Sequence, residues 1–380
     1  MSFRFNPPVT PIVRTLRTQD AREKREEQYA EGLIGLYPAY RDRLLDWEGS
    51  RAPIVAFPAP EEQRRDPDSV LAGLNPDPDA VKLSEAMQIK RDGYISDLVS
   101  AGKVVYNKPT YRMQEIRIED GRILIECGIG TYFDAMGSCA SLAEEFFSKA
   151  HVPQSLEELP LRSEVHINSA DPIADGSTRS AALGTSALIV FRDTKGQYNY
   201  LVRRRAEKLP RYPGLLMPIP GFVFQPLEHP DSPKEEFSIV EGVKREYIEE
   251  LFGAKVPKGQ GISSVHEGEC LERLLDSGSA ELLFTGVAVP LRDLWPEICT
   301  LLLIHDSEWS ENVKGNNDHK PITANWEYRG KDAFSFEEKG GVPLMTPISE
   351  SIGPWTRFVD PCSVTLVEGI KVAKEIIAQR

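Results

Sequence analysis

The run Arg245-Glu246-Tyr247-Ile248-Glu249-Glu250 constrains this chain more than any other stretch. It sets three carboxylates at positions i, i+3 and i+4, and at 3.6 residues per turn these share one helical face. Like charges at that spacing cost a helix roughly 0.2–0.5 kcal/mol per pair. A hard divalent cation reverses the sign, because Mg²⁺ or Mn²⁺ takes carboxylate, water and phosphate oxygens as ligands. The pattern predicts a helix over about 238–251 that packs by one side and offers Glu246, Glu249 and Glu250 to a metal from another. Val240, Val243, Tyr247 and Leu251 form its apolar stripe, and Gly253 supplies its stop.

Strand signals surround this helix. Ala187–Phe191 and Tyr198–Val202 flank Asp193-Thr194-Lys195-Gly196, a hairpin pattern. Pro220-Gly221-Phe222-Val223 leads toward the helix. Glu281–Val289 and Leu301–Ile304 read as buried strands, with weaker edge-strand patterns at Trp326–Tyr328 and Phe334–Phe336. Leu366, Ile370, Ala373 and Ile377 recur at helical spacing and close the chain on a helix.

The order strand, hairpin, strand, Pro-Gly turn, acidic helix, strands, terminal helix resembles a Nudix hydrolase. Arg245, Glu246, Tyr247, Glu249 and Glu250 match the second half of that family's box. The first half departs from it. Gly221 stands farther upstream of Arg245 than the box glycine would, which implies an inserted loop within Gln225–Ser232. The box's earlier glutamate, due eight residues before Arg245, falls on Phe237, with Glu235 and Glu236 adjacent but out of register. In the family that glutamate supports the arginine, a role open here to Glu241, four residues before Arg245.

The resemblance implies an α/β/α sandwich with a mixed sheet over residues 156–380, preceded by a separate α+β unit at 1–155. It implies metal-dependent hydrolysis of a phosphoanhydride in a nucleotide or a nucleoside diphosphate-linked compound. Glu246, Glu249 and Glu250 would hold Mg²⁺ or Mn²⁺, with Arg245 ordering the box. The altered box and the large extra region also admit, as a second reading, a sensor that binds a nucleotide without turnover; isomerisation of a diphosphate ester is a third. Family members often dimerise, so a homodimer is the expected assembly.

Further candidates follow from chemistry. Arg203 and Arg205 lie on one side of a strand end and Arg204 on the other, and guanidinium offers bidentate donors to phosphate. Arg203 and Arg205 are thus expected on the phosphate side, and the resemblance adds Gly221 of the Pro-Gly entry as a binding residue. Members of the family also place the base on a loop outside the box, which by that resemblance makes Asp306 or Glu308, after Leu301–Ile304, a candidate, and His305 adjoins them. Trp309, Tyr212 and Trp326 offer rings for stacking on a base. No GxSxG elbow supports a serine nucleophile, and no HxH or HExxH spacing supports histidine ligation.

The first half is α+β in pattern. A charged segment spans about 20–47, with capping-box spacing at Asp20 and Glu23, and a Pro-rich connector follows from Pro53 to Pro78. Next come a helix from Asp79 to about Ser100, a hairpin about Asp120-Gly121, and a helix near Leu142–Ala150. The formal charge of −13 argues against nonspecific nucleic-acid binding. No apolar run reaches membrane-spanning length, and no apolar signal core opens the chain, so no membrane partner is expected. Five dispersed cysteines without CxxC spacing fit reduced thiols in the cytoplasm.

Overall fold

The computed structural model describes residues 19–75, 83–100, 106–206, 211–226, 232–313 and 342–380. The expected edge strands at 326–328 and 334–336 lie outside these residues, as does most of the expected inserted loop.

The fold is mixed α+β. Its strands are β1 (Leu44–Trp47), β2 (Ser50–Pro58), β3 (Leu71–Asn75), β4 (Pro109–Glu119), β5 (Arg122–Thr131), β6 (Gly184–Arg192), β7 (Tyr198–Tyr200), β8 (Arg203–Arg204), β9 (Leu216–Met217), β10 (Gly221–Val223), β11 (Ala280–Pro290), β12 (Glu297–Ile304) and β13 (Val342–Pro343). The main sheet runs β1-β2-β11-β12-β6-β7-β13, with β10 also on β6. β12 and β6 are parallel and the other pairs of this sheet antiparallel.

Alternation along β6 decides what covers each face. Leu188 and Val190 pack with Leu366, Ile370 and Ala373 of the closing helix Asp360–Gln379. Ile189 and Phe191 pack with Tyr247, Ile248 and Leu251 of the acidic helix and Leu271 of the helix His266–Asp276. Period-two burial thus sandwiches the sheet between helices.

The Pro53–Pro78 stretch is not a mere connector. Its first residues form β2, an interior strand between β1 and β11. Proline survives there because the ladder is interrupted beside it. The β1–β2 register shifts between Leu44 and Asp46, opposite the segment holding Pro53, and Pro58 faces Gly286 at a β11 bulge. A Cβ on Gly286 would stand 2.5 Å from the Phe57 carbonyl oxygen, so the close approach requires glycine.

The sheet therefore crosses residue 155, because β1 and β2 extend strands of the second half. One apolar cluster likewise joins Tyr29, Phe146 and Val165 to Phe224, Val243 and Val287. The β4–β5 hairpin turns as its Asp-Gly pair predicts, with Asp120 and Gly121 both at positive φ, 49° and 80°. A helix spans Gln19–Leu36, but Leu44–Trp47 at the end of that charged segment is strand. No helix among the described residues is long and apolar enough to cross a membrane.

Candidate functional site

The acidic helix spans Ile239–Phe252. The Ser238 hydroxyl accepts from Glu241 N at 3.2 Å, and Gly253 ends the helix at φ 62° with its N–H on the Glu249 carbonyl. Val243, Tyr247 and Leu251 are buried as the stripe requires, joined by Ile239 and Ile248, while Val240 is half-buried. A second cap comes from far upstream. Asp68 Oδ1 accepts from Ile239 N at 2.6 Å and Val240 N at 3.2 Å, while its Oδ2 accepts from the Ser238 hydroxyl. A carboxylate on exposed N–H groups at the positive end of a helix dipole is favourable twice over.

Arg245 donates to Glu236 at 3.3 Å, both side chains largely buried at 17% and 12% exposure. Glu241 instead meets Lys244 at 2.9 Å, so the expected Glu241–Arg245 pairing is corrected. Glu236 closes a short 3-10 turn, Pro233–Glu236, that carries its carboxylate to the arginine. Phe237 stacks on Phe224 and packs against Tyr111, whose hydroxyl donates to the Pro233 carbonyl at 2.5 Å.

Glu250 turns inward. It is only 4% exposed, and its Oε2 accepts from Gly221 N at 3.1 Å. The expectation that all three carboxylates lie off the packed side is thus corrected for Glu250, while Glu246 and Glu249 are half-buried. Gly221 opens β10 opposite Ser186, and a Cβ on it would meet the terminal methyl of Met217 at 2.2 Å. Met217 also pairs with Arg203 across the β8–β9 ribbon, and its sulfur accepts from Arg205 Nη1 at 3.2 Å. Arg203 is buried at 3%, and Arg204 turns to the Gly214 carbonyl. Gly221, Arg203 and Arg205 therefore gather around Met217, and Glu250 joins them through the Gly221 N–H.

Sequence reasoning missed Glu297, beside this group at the start of β12. Its carboxyl accepts from the Ser186 hydroxyl and from the Cys362 thiol at 3.4 Å, and burial pushes it up to about 7. No local pattern marks it.

The remaining candidates have structural places. His305 lies between Tyr198 at 2.8 Å and Glu281 at 3.2 Å, with burial holding its imidazole below the ordinary range. Asp306 accepts from Glu308 N at 2.9 Å, closing a turn. Trp309 is buried against Phe191 and donates to the Tyr247 hydroxyl at 2.9 Å. Tyr212, at φ 52°, shares buried Asp293 with Arg211, and Trp326 lies outside the described residues.

The donors on the acidic helix are hard oxygens, a set that suits Mg²⁺ or Mn²⁺ rather than a thiolate-seeking ion. Among the described residues no group of three or more His, Cys, Asp or Glu side chains is arranged to hold a metal ion. A groove of about 640 Å³ lined by Asp42, Phe57, Ile118 and Glu368 contains none of the candidates.

No family model matches this chain, and no curated protein matches it either.

Proposed function

We propose that the protein hydrolyses a phosphoanhydride bond in a nucleotide or nucleoside diphosphate-linked compound, as a divergent Nudix-type enzyme. The observation that carries this reading is the pairing of Arg245 with Glu236 while Glu250 holds the N–H of Gly221. The residues of the expected box thereby meet despite its broken spacing. Glu236 takes the supporting role one position upstream of Phe237.

Glu246, Glu249 and Glu250 would hold Mg²⁺ or Mn²⁺, which when bound offsets charge building on phosphate oxygens. Arg205, whose Nη1 meets a weak thioether acceptor, is placed to exchange that contact for phosphate. Glu246 and Glu249, half-buried, are the carboxylates able to take a proton from attacking water. Gly221 lets the chain pass close beside Met217, whose sulfur meets the Arg205 guanidinium.

Phosphate release from a panel of nucleotides and nucleoside diphosphate-linked compounds, with Mg²⁺ or Mn²⁺, tests the proposal. Turnover is expected, with a loss on the order of 10²-fold or more in Glu249→Gln and Glu250→Gln. Equal turnover in wild type and both variants would remove the assigned site. Tight binding without product would favour the sensor.

A further inference from the structure

Glu297 is an enclosed acid hydrogen-bonded to Ser186, the residue that pairs with Gly221. It leans back over β6, where a Cβ on Gly184 would stand 3.0 Å from its Oε2. Its hydrogen-bond donors are neutral: the Ser186 hydroxyl, itself 2.6 Å from the Thr365 hydroxyl, and the Cys362 thiol. Charged neighbours act on it through their fields, Arg205 favouring the ionised form and Asp293 the neutral one. Cys362 on the closing helix and Cys299 on β12 also face it. Burial and the Glu297 charge hold both thiols well above their usual range, so neither competes for a proton near neutrality.

Arg205 is poorly matched in turn. Among the described residues its guanidinium donates to the Met217 sulfur, and its buried Nε finds no hydrogen-bond acceptor. A guanidinium in that state attracts a phosphate oxygen. An anion placed there cancels the field that favours ionised Glu297, leaving burial and Asp293 to dominate.

We propose that a phosphate-bearing ligand engaging Arg205 is taken up together with a proton, which Glu297 receives. The inference rests on the phosphate reading of the site above. The proton comes from solvent, and no bond of the ligand changes. Glu297 is then a positioning residue: its neutral carboxyl keeps the contact with Ser186, the residue paired with Gly221 where β10 begins. Substrate binding and the geometry at Gly221 are linked through one titrating group.

Calorimetric titration of methylenediphosphonate, a pyrophosphate analogue with no anhydride bond to cleave, into the full chain, with Mg²⁺ near pH 7 and in buffers of different ionisation enthalpy, counts the protons. Wild type should take up a measurable fraction of a proton more than Glu297→Gln, with the ligand's own ionisation cancelling in the difference. Its Kd should also rise relative to that of Glu297→Gln between pH 6 and 8.5, on the order of threefold to tenfold. Arg205→Gln at saturating ligand should lose the extra uptake as well, which keeps the test decisive if Glu297→Gln does not fold. Equal uptake in wild type and either variant overturns the coupling and leaves the site reading standing. Failure of the wild type to bind methylenediphosphonate overturns both.

Discussion

Asp68 accepts a hydrogen bond from Ile239 N at 2.6 Å across 171 residues of sequence, so the first half of the chain caps the helix that carries the candidate carboxylates. Removing that carboxylate leaves two backbone donors and the Ser238 hydroxyl without their partner. Asp68→Ala should cost about 1–2 kcal/mol in urea or thermal unfolding, the usual penalty for a lost cap. Asp68→Asn, which keeps an acceptor oxygen, should cost less. Equal stability of all three proteins would show that Ser238 caps the helix unaided.

Glu236 and Glu241 give a sharper test of the box. If the Glu236–Arg245 pair orders the entry to the acidic helix, Glu236→Gln should lower metal-dependent turnover about tenfold or more. Glu241→Gln, which loses an exposed contact to Lys244, should leave turnover within about twofold. Steady-state kinetics at saturating Mg²⁺ separates the two. Equal losses would remove Glu236 from the supporting role.

Local chemistry made some of this structure readable in advance. Ser238 and Gly253 bracket the acidic helix within the helix's own sequence, and Asp120-Gly121 dictates a hairpin by its backbone preferences alone. β2 was hidden because Pro53 and Pro58 argue against an interior strand unless the register shifts beside them are known, and those depend on β1 and β11. Glu297 was hidden for a similar reason: its partners Ser186 and Cys362 lie 111 and 65 residues away. Burial of a charge is a tertiary property, and no nearby residue announces it. Asp68 belongs to the same class, a helix cap delivered by a remote 3-10 turn.

Gly286 tests the bulge that admits β2. Any side chain there meets the Phe57 carbonyl oxygen, a backbone atom that cannot swing aside as a flexible side chain would. Gly286→Ala should destabilise the protein by about 2 kcal/mol or more, within the range for strain in a packed sheet. Gly35→Ala, where nothing stands near the added methyl, is the control and should be neutral or stabilising in its helix. Matching unfolding midpoints for the two variants would show that the sheet yields at the bulge.

The pH dependence of stability has a sign set by burial. Glu297 rises from an ordinary 4.5 to about 7, and Asp360, beside Arg292 at 2.8 Å, rises from 3.8 to about 6. Between each pair of values the folded chain holds a proton that the unfolded chain has released. Their contribution is therefore fully present below about pH 4 and is lost as pH climbs through the folded values. The loss for each group is at most about 1.4 kcal/mol per pH unit across its window. His166, lowered by burial from 6.5 to about 4, acts oppositely, and stability falls as pH drops from 6.5 toward 4. Urea unfolding from pH 5 to 8 should show stability declining up to about pH 7 and levelling off above it. Glu297→Gln, which stays neutral throughout, should flatten that decline. A decline of the same slope in the variant would mean that Glu297 is already ionised in the folded protein at pH 5, and that the Ser186 and Cys362 hydrogen bonds stabilise the charge enough to overcome its burial.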